Sequence, residues 1–328
     1  MGLPSRVIDA GREHRNPLPE VEAGLFVGTA SRGAMLTRFW TLLLLASIAA
    51  AAGVVDDATP LIIGAMIVSP LSTPVYGIAL GTVVGSRRDL RDALLLLAAG
   101  IAASIAIGLL VNLLTFERVP VEANPQIIGR TAPKVLDLVV AIAMGLVGAF
   151  ALVRRDVANI VAGVAIAISL VPVLEVVGIT LGEGRFDLAW GASLLFLTNV
   201  AAIVVAGVVV FTAAGYQRDA AGHGAGRRTK AFIAVLIVAL VIPLTITSVR
   251  TYRYQRWMEA TDVATRRWAE GSGWRLTDVR QEGDEIVATV IGPGEAPSLE
   301  TLRAQVRDSV PGSVSIRIVK GSGETDEL

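Results

Sequence analysis

The sequence has 328 residues, 53% of them hydrophobic and 18% charged, with a formal net charge of zero and a mean hydropathy of +0.63. That balance excludes an ordinary soluble domain, which carries about 25% charge, and offers no basic field for nucleic acid. Cysteine is absent, which excludes disulfides, thiolate metal sites, iron–sulfur clusters and cysteine nucleophiles.

The hydrophobic residues fall in blocks of about 17–27, the length that crosses a hydrocarbon core as a helix. The pattern predicts an all-α polytopic membrane protein with about seven transmembrane helices. Residues 1–33 are polar, carry Arg6, Arg12, Arg15 and Arg32, and read as a cytoplasmic N-terminal tail. Either a short interfacial helix around Val21 to Phe26 or a disordered tail fits them. They hold no apolar signal core, so the first span is expected to act as its own insertion signal.

The transmembrane domain is expected over 34–249. Span 1 is Phe39 to Val55, edged by Arg38 and Trp40 and ended by Asp56 and Asp57. Span 2, Ala58 to Val84, holds Pro60, Pro70 and Pro74. The run Ser86 to Asp92, SRRDLRD, reads as a tight basic loop. Span 3 is Ala93 to Phe116, with Asn112 as its one strongly polar residue. After a polar connection come span 4 (Leu138 to Val153), span 5 (Val157 to Leu181, with Pro172 and Glu175) and span 6 (Leu188 to Ala213, with Asn199). Span 7 covers 231–249.

Basic residues cluster in the tail and in every second loop: Arg87/Arg88/Arg91, Arg154/Arg155 and Arg218/Arg227/Arg228/Lys230. The positive-inside rule then puts the N-terminus in the cytoplasm and, with seven spans, the C-terminus outside. Arg250, Arg253 and Arg256 vote the other way but precede a long tail.

From about residue 250 the material changes. Tyr254, Trp257, Met258, Thr261, Ala264 and Trp268 recur at helical spacing, and the aromatic residues suit a headgroup layer. Trp274 to Arg280 and Glu285 to Ile291 alternate like strands, Pro297 opens a helix, and Ser313 to Val319 makes a last strand. The prediction is a small extracytoplasmic α+β domain over 250–320, in the order α-β-β-α-β, with a disordered tail at 321–328. By order of elements alone it resembles the BON-type module.

Span 2 has a counterpart in span 5. Asp57, Gly64 and Ile67 fall on Asp156, Gly163 and Ile166, and Gly77 to Gly81 (GIALG) falls on Gly178 to Gly182 (GITLG). Each copy is flanked by one plainer span on either side, giving repeat one over 39–116 and repeat two over 138–213. Three spans per unit is odd, so the second enters from the opposite side: an inverted 3+3 repeat containing two proline-broken helices. Pro removes a donor and pushes the preceding residue, here Ser69 and Thr73, toward extended geometry. Freed backbone groups are tolerated only inside protein or along a wet cavity. The candidate solute or ion path is therefore Ser69, Pro70, Ser72, Thr73 and Pro74 facing Ser169, Pro172 and Glu175. A simple kink at Pro172 is the competing reading.

Glu175 is the acidic residue well inside a span, where a carboxyl is costly and faces the bundle interior or water. Proton carrier, cation ligand, a carboxylate reaching the outer interface and a structural partner of Arg185 all fit. Gly64, Gly77, Gly81, Gly163, Gly178 and Gly182 are expected to let helices approach. Asp57 and Asp156 are expected to cap the helices that follow them. Asn112 and Asn199 suit interhelical hydrogen bonds.

His14 and His223 sit in polar connections, so no metal site or cofactor is expected. No nucleotide-binding loop or nucleophile elbow appears, so the chain does not read as an enzyme. The stretch IIGAMIVSPLSTPVYGIALG (Ile62 to Gly81) with its basic exit, and the companion GVAIAISLVP (Gly163 to Pro172), resemble the prokaryotic "uncharacterised hydrophobic domain" family, domain of unknown function 389. The likeness covers Phe39 to Phe211. It implies a multi-pass protein of a prokaryotic plasma membrane and no particular activity; Glu175 departs from the small neutral residue expected there. The expected partners are the lipid bilayer, a small ion or polar solute, and a second copy of the chain. Transport, passive or ion-coupled, is the leading reading. The alternative is a membrane-anchored sensor or scaffold acting through its outer domain.

Overall fold

The computed structural model describes residues 14–26, 32–115, 119–131, 134–156, 170–220, 253, 256–270, 272–282, 285–293, 296–307, 310–311 and 314–322. Ser169, Gly163 and span 7 lie outside the described residues. The chain divides into two compact units, residues 1–245 and 246–328.

The first unit is helical. Its elements are α1 (Leu18–Leu25), α2 (Arg32–Val55), α3 (Thr59–Val68), α4 (Ser72–Val84), α5 (Arg87–Leu114), α6 (Pro125–Ile128), α7 (Val135–Val153), α8 (Val171–Gly182), α9 (Phe186–Ala213) and α10 (Tyr216–Asp219). Helices α2, α5, α7 and α9 are each long and apolar enough to cross a membrane. The pair α3 and α4 makes a fifth candidate span, bent by 43°. This is a multi-pass membrane protein by helix length and hydropathy.

Local chemistry sets the ends. Asp57 does not cap α3. It stands at φ 51, beyond the end of α2, where glycine is more usual. Its N–H bonds the Val54 carbonyl at 3.4 Å, and the Ala58 N–H bonds that of Gly53 at 2.8 Å. The N-cap of α3 falls to Ala58, which makes no side-chain cap. The basic run expected as a loop is instead the opening of α5. Ser86 caps it by accepting from the Asp89 N–H at 3.4 Å, and Gly85, at φ 82, turns the chain between α4 and α5.

One end of the bundle gathers the basic segments. The Asn16 N–H bonds the Val153 carbonyl at 2.8 Å, and the Arg155 N–H bonds that of His14 at 3.0 Å. Arg15 reaches the Ala214 carbonyl and Asp219, and Arg155 pairs with Glu20. Pro19 and Glu22 of α1 share a shallow cavity with Arg88 and Asp89. At the other end Asn124 donates to the Val54 carbonyl at 2.8 Å, and Gln126 donates to Asp57 at 2.8 Å and Thr59 at 2.9 Å.

The buried helices α4 and α8 both pack between α5 and α9. Every residue from Val171 to Thr180 is buried.

The second unit holds a helix over 256–269 (α11), then β1 (Arg275–Glu282), β2 (Glu285–Gly292), α12 (Leu299–Arg307) and β3 (Ser315–Ser322). The sheet order is β1-β2-β3, with β2 antiparallel to β1 and parallel to β3. Ile286, Val287, Ala288 and Val290 of the central strand are buried. Trp268 is not a headgroup anchor. It is 6% exposed, packs with Ala264, Trp274 and Leu302, and donates its Nε1–H to the Ser298 carbonyl at 2.9 Å.

Candidate functional site

The first break is short. Ser69 is extended (ψ 129), as a residue before proline prefers. Thr73 departs from that expectation and stays helical inside α4. Pro74 lies in the first turn of α4, where its missing N–H leaves no carbonyl unpaired. Pro60 and Pro172 likewise sit in the first turns of α3 and α8. Ser69 and Leu71 are buried, and Ser72 and Thr73 half-buried. Leu71 is driven against Gly100 of α5, beside Leu43 and Phe39 of α2. The break at Leu71 thus faces protein.

A cavity of about 420 Å³ opens near the end of α3, and none of Ser69, Pro70, Ser72, Thr73, Pro74, Pro172 and Glu175 lines it. Met66, one turn before the first break, and Val173, directly after Pro172, share its wall. Met144, Asn199, Arg130 and Asp137 complete the part that bears on chemistry. Asn199 is 7% exposed and its Oδ1 has no hydrogen-bond partner. Arg130 donates to the Gln126 carbonyl at 2.7 Å and to its Oε1 at 2.8 Å. It meets no carboxylate among the described residues, and burial lowers its pKa from the usual arginine value. The space therefore offers one cation, one carboxylate and one open amide oxygen against apolar walls, the composition of a small-solute pocket.

Glu175 lies on α8 two residues after Val173, about 200° around the helix and thus on the opposite face. It is fully buried and both carboxyl oxygens lack a hydrogen-bond partner. The Ser47 hydroxyl approaches it outside bonding geometry and instead lies 2.9 Å from the Ser104 hydroxyl. Arg185 pairs with Glu122 and Asp187 rather than with Glu175. On the far side of Glu175, a Cβ on Gly108 would come within 2.9 Å of its Oε2.

The repeat glycines divide. Gly178 and Gly182 lie on α5, against Ile105 and Asn112. Gly77 and Gly81 also face α5, at Ala93 and Leu90. Gly64 differs, since a methyl group added there would meet nothing within 4 Å. Asp156 pairs with Arg154 at 2.8 Å, which holds its carboxyl down at about 2. Asn112 bridges helices by donating to Glu183 at 2.8 Å.

Sequence reasoning did not reach the Ser47–Ser104 pair, Arg130 or the Tyr76 phenol, which donates to the Gly145 carbonyl at 3.1 Å. The signal for Ser104 was available: Gly100, Ser104, Gly108 and Asn112 recur every fourth residue and are buried together. Among the described residues no group of His, Asp and Glu suits a metal ion.

The bent apolar pair, the glycine contacts and the cavity all fall around one matched segment. Residues 66–205 match the family described as Domain of unknown function (DUF389). The likeness to that family is confined to this segment, which is less than half of the chain. The chain is also similar to Uncharacterized protein MJ0678 of Methanocaldococcus jannaschii, 32% identical over 175 residues. The match covers 53% of this chain and 53% of that protein, so the chain spans about half the length of the relative it matches. No solved structure matches.

Proposed function

We propose that the protein is a passive or ion-coupled transporter or channel for a small polar solute or ion. Its site is the space between the two broken elements, and spans 1–3 and 4–6 act as inverted repeats around it. The observation that carries this reading is the cavity whose wall includes Met66, from before the break in span 2, and Val173, beside Pro172. Interrupted helices meeting at a polar-lined space inside a bundle are the architecture of solute carriers. The gathering of basic segments at one end supports an N-terminus in the cytoplasm of a prokaryote.

Flux tests it. The full chain in liposomes is offered proton, sodium, potassium and chloride gradients, with the parent compared to a form whose Ser69–Pro74 is replaced by unbroken Leu and Ala. Transport predicts flux in the parent that the replacement abolishes. Equal flux in both forms, or none in either, contradicts it. The second reading, a sensor or scaffold, is favoured by the separate core of the C-terminal unit. It predicts activity that survives when that unit is tethered to an unrelated span.

A further inference from the structure

A carboxyl buried in a membrane helix is stable as an anion only beside a cation or a set of donors. Lacking those, it takes up a proton instead. Glu175 has neither. Among the described residues, the helices packed most closely against α8 are α2, α3, α5 and α9. None carries a charged residue over its apolar stretch: α2 between Phe39 and Val55, α3 throughout, α5 between Ala93 and Leu114, α9 between Leu188 and Ala213. The nearest charges along α8's own chain are Glu183, which accepts from Asn112, and Arg185, which is paired with Glu122 and Asp187.

Space and ligand number decide which positive ion fits. A hard metal cation in protein is ringed by about six oxygens. Among the described residues the hydroxyl that approaches Glu175 is that of Ser47, which already engages the Ser104 hydroxyl. The Gly108 backbone lies too close for a methyl group. A hydrogen atom fits where a metal ion does not.

We infer that Glu175 is a proton-binding carboxyl held neutral between α2, α5 and α8, and that the ion coupled at this site is the proton. The coupling half rests on the transport reading above. Helix α8 links the two events, since it shows Val173 to the cavity and Glu175 to the opposite side. A shift of α8 that admits water to Glu175 frees the proton, and the same shift reshapes the cavity wall.

The test reads the proton directly. The full chain in lipid vesicles at neutral pH is compared with Glu175→Gln by infrared difference spectroscopy. The expected result is a protonated-carboxyl C=O stretch in the parent that the variant loses and that sodium does not displace. Loss of a carboxylate band instead, or displacement by sodium, overturns the inference. Ser47→Ala and Ser104→Ala, which keep the carboxyl, are expected to shift the stretch; no shift from either overturns the site's composition. Proton flux into dye-loaded vesicles is expected to vanish in Glu175→Gln, and undiminished flux there overturns the coupling role. A protonated Glu175 in a parent that moves no protons keeps the binding site and overturns the coupling role; the transport reading falls with it only if the parent moves no sodium, potassium or chloride either.

Discussion

Gly178 of α8 stands directly on the carbonyl of Ile105 in α5; a Cβ added to it would overlap that oxygen. The contact fixes how near α8 comes to α5, and hence how tightly Glu175 is enclosed one turn earlier. Gly178→Ala is expected to destabilise the bundle by about 1–3 kcal/mol, the range for overpacking. Gly64→Ala, at an open position, is expected to be neutral or to stabilise by up to about 1 kcal/mol through helix propensity. Thermal unfolding of the two variants in detergent checks the pair. Equal losses would contradict the assigned contact.

Elsewhere in the bundle, α4 meets α7 through Tyr76. Its hydroxyl bonds the Gly145 carbonyl, and a Cβ on Gly148 would overlap that same hydroxyl. Tyr76→Phe is expected to cost about 1 kcal/mol. Gly148→Ala is expected to cost more alone than in the Tyr76→Phe background, because the phenol oxygen is what it strikes. A double-mutant cycle measures the coupling, and strict additivity would contradict the geometry.

At the basic end, Tyr216 is fully buried and donates to the Asn16 carbonyl at 2.8 Å. Burial pushes its phenol from 10 to about 12, against the lowering effect of Arg15. The folded value lies above the unfolded one, so this stabilising contribution is whole below pH 10 and is lost as pH rises toward about 12. Tyr216→Phe is expected to flatten the alkaline limb of the stability curve while leaving neutral pH less affected. An unchanged difference between parent and variant across that window would count against it.

Spans 1 to 4 and 6, the break after Ser69 and the α-β-β-α-β order of the second unit were legible in the sequence. Hydropathy, proline and period-two alternation are local signals. What failed was tertiary in origin. Asp57 reads as a helix cap, yet Gln126, 69 residues away, takes its carboxylate. The run from Arg87 to Asp92 is charged enough to read as a loop, but Ser86 caps it into α5 and its arginines are exposed. Trp268 looks like a membrane anchor until the strands that enclose it are present. The burial of Glu175 was foreseeable as a cost. Its lack of a partner was not, because that depends on where Arg185 turns and on two serines 57 residues apart.

The central claim is that water reaches a space between the broken elements. The chain has no cysteine, so single cysteines report cleanly. Met66→Cys and Met144→Cys would sit on the cavity wall, Leu71→Cys in fully buried packing, and Ile63→Cys on the outward apolar face of α3. With a charged, membrane-impermeant thiol reagent, labelling is predicted at Met66→Cys and Met144→Cys from the side that carries Arg130 and Asp137, and at neither control. Failure to label both cavity positions, or labelling no faster than at Ile63→Cys, would contradict the account.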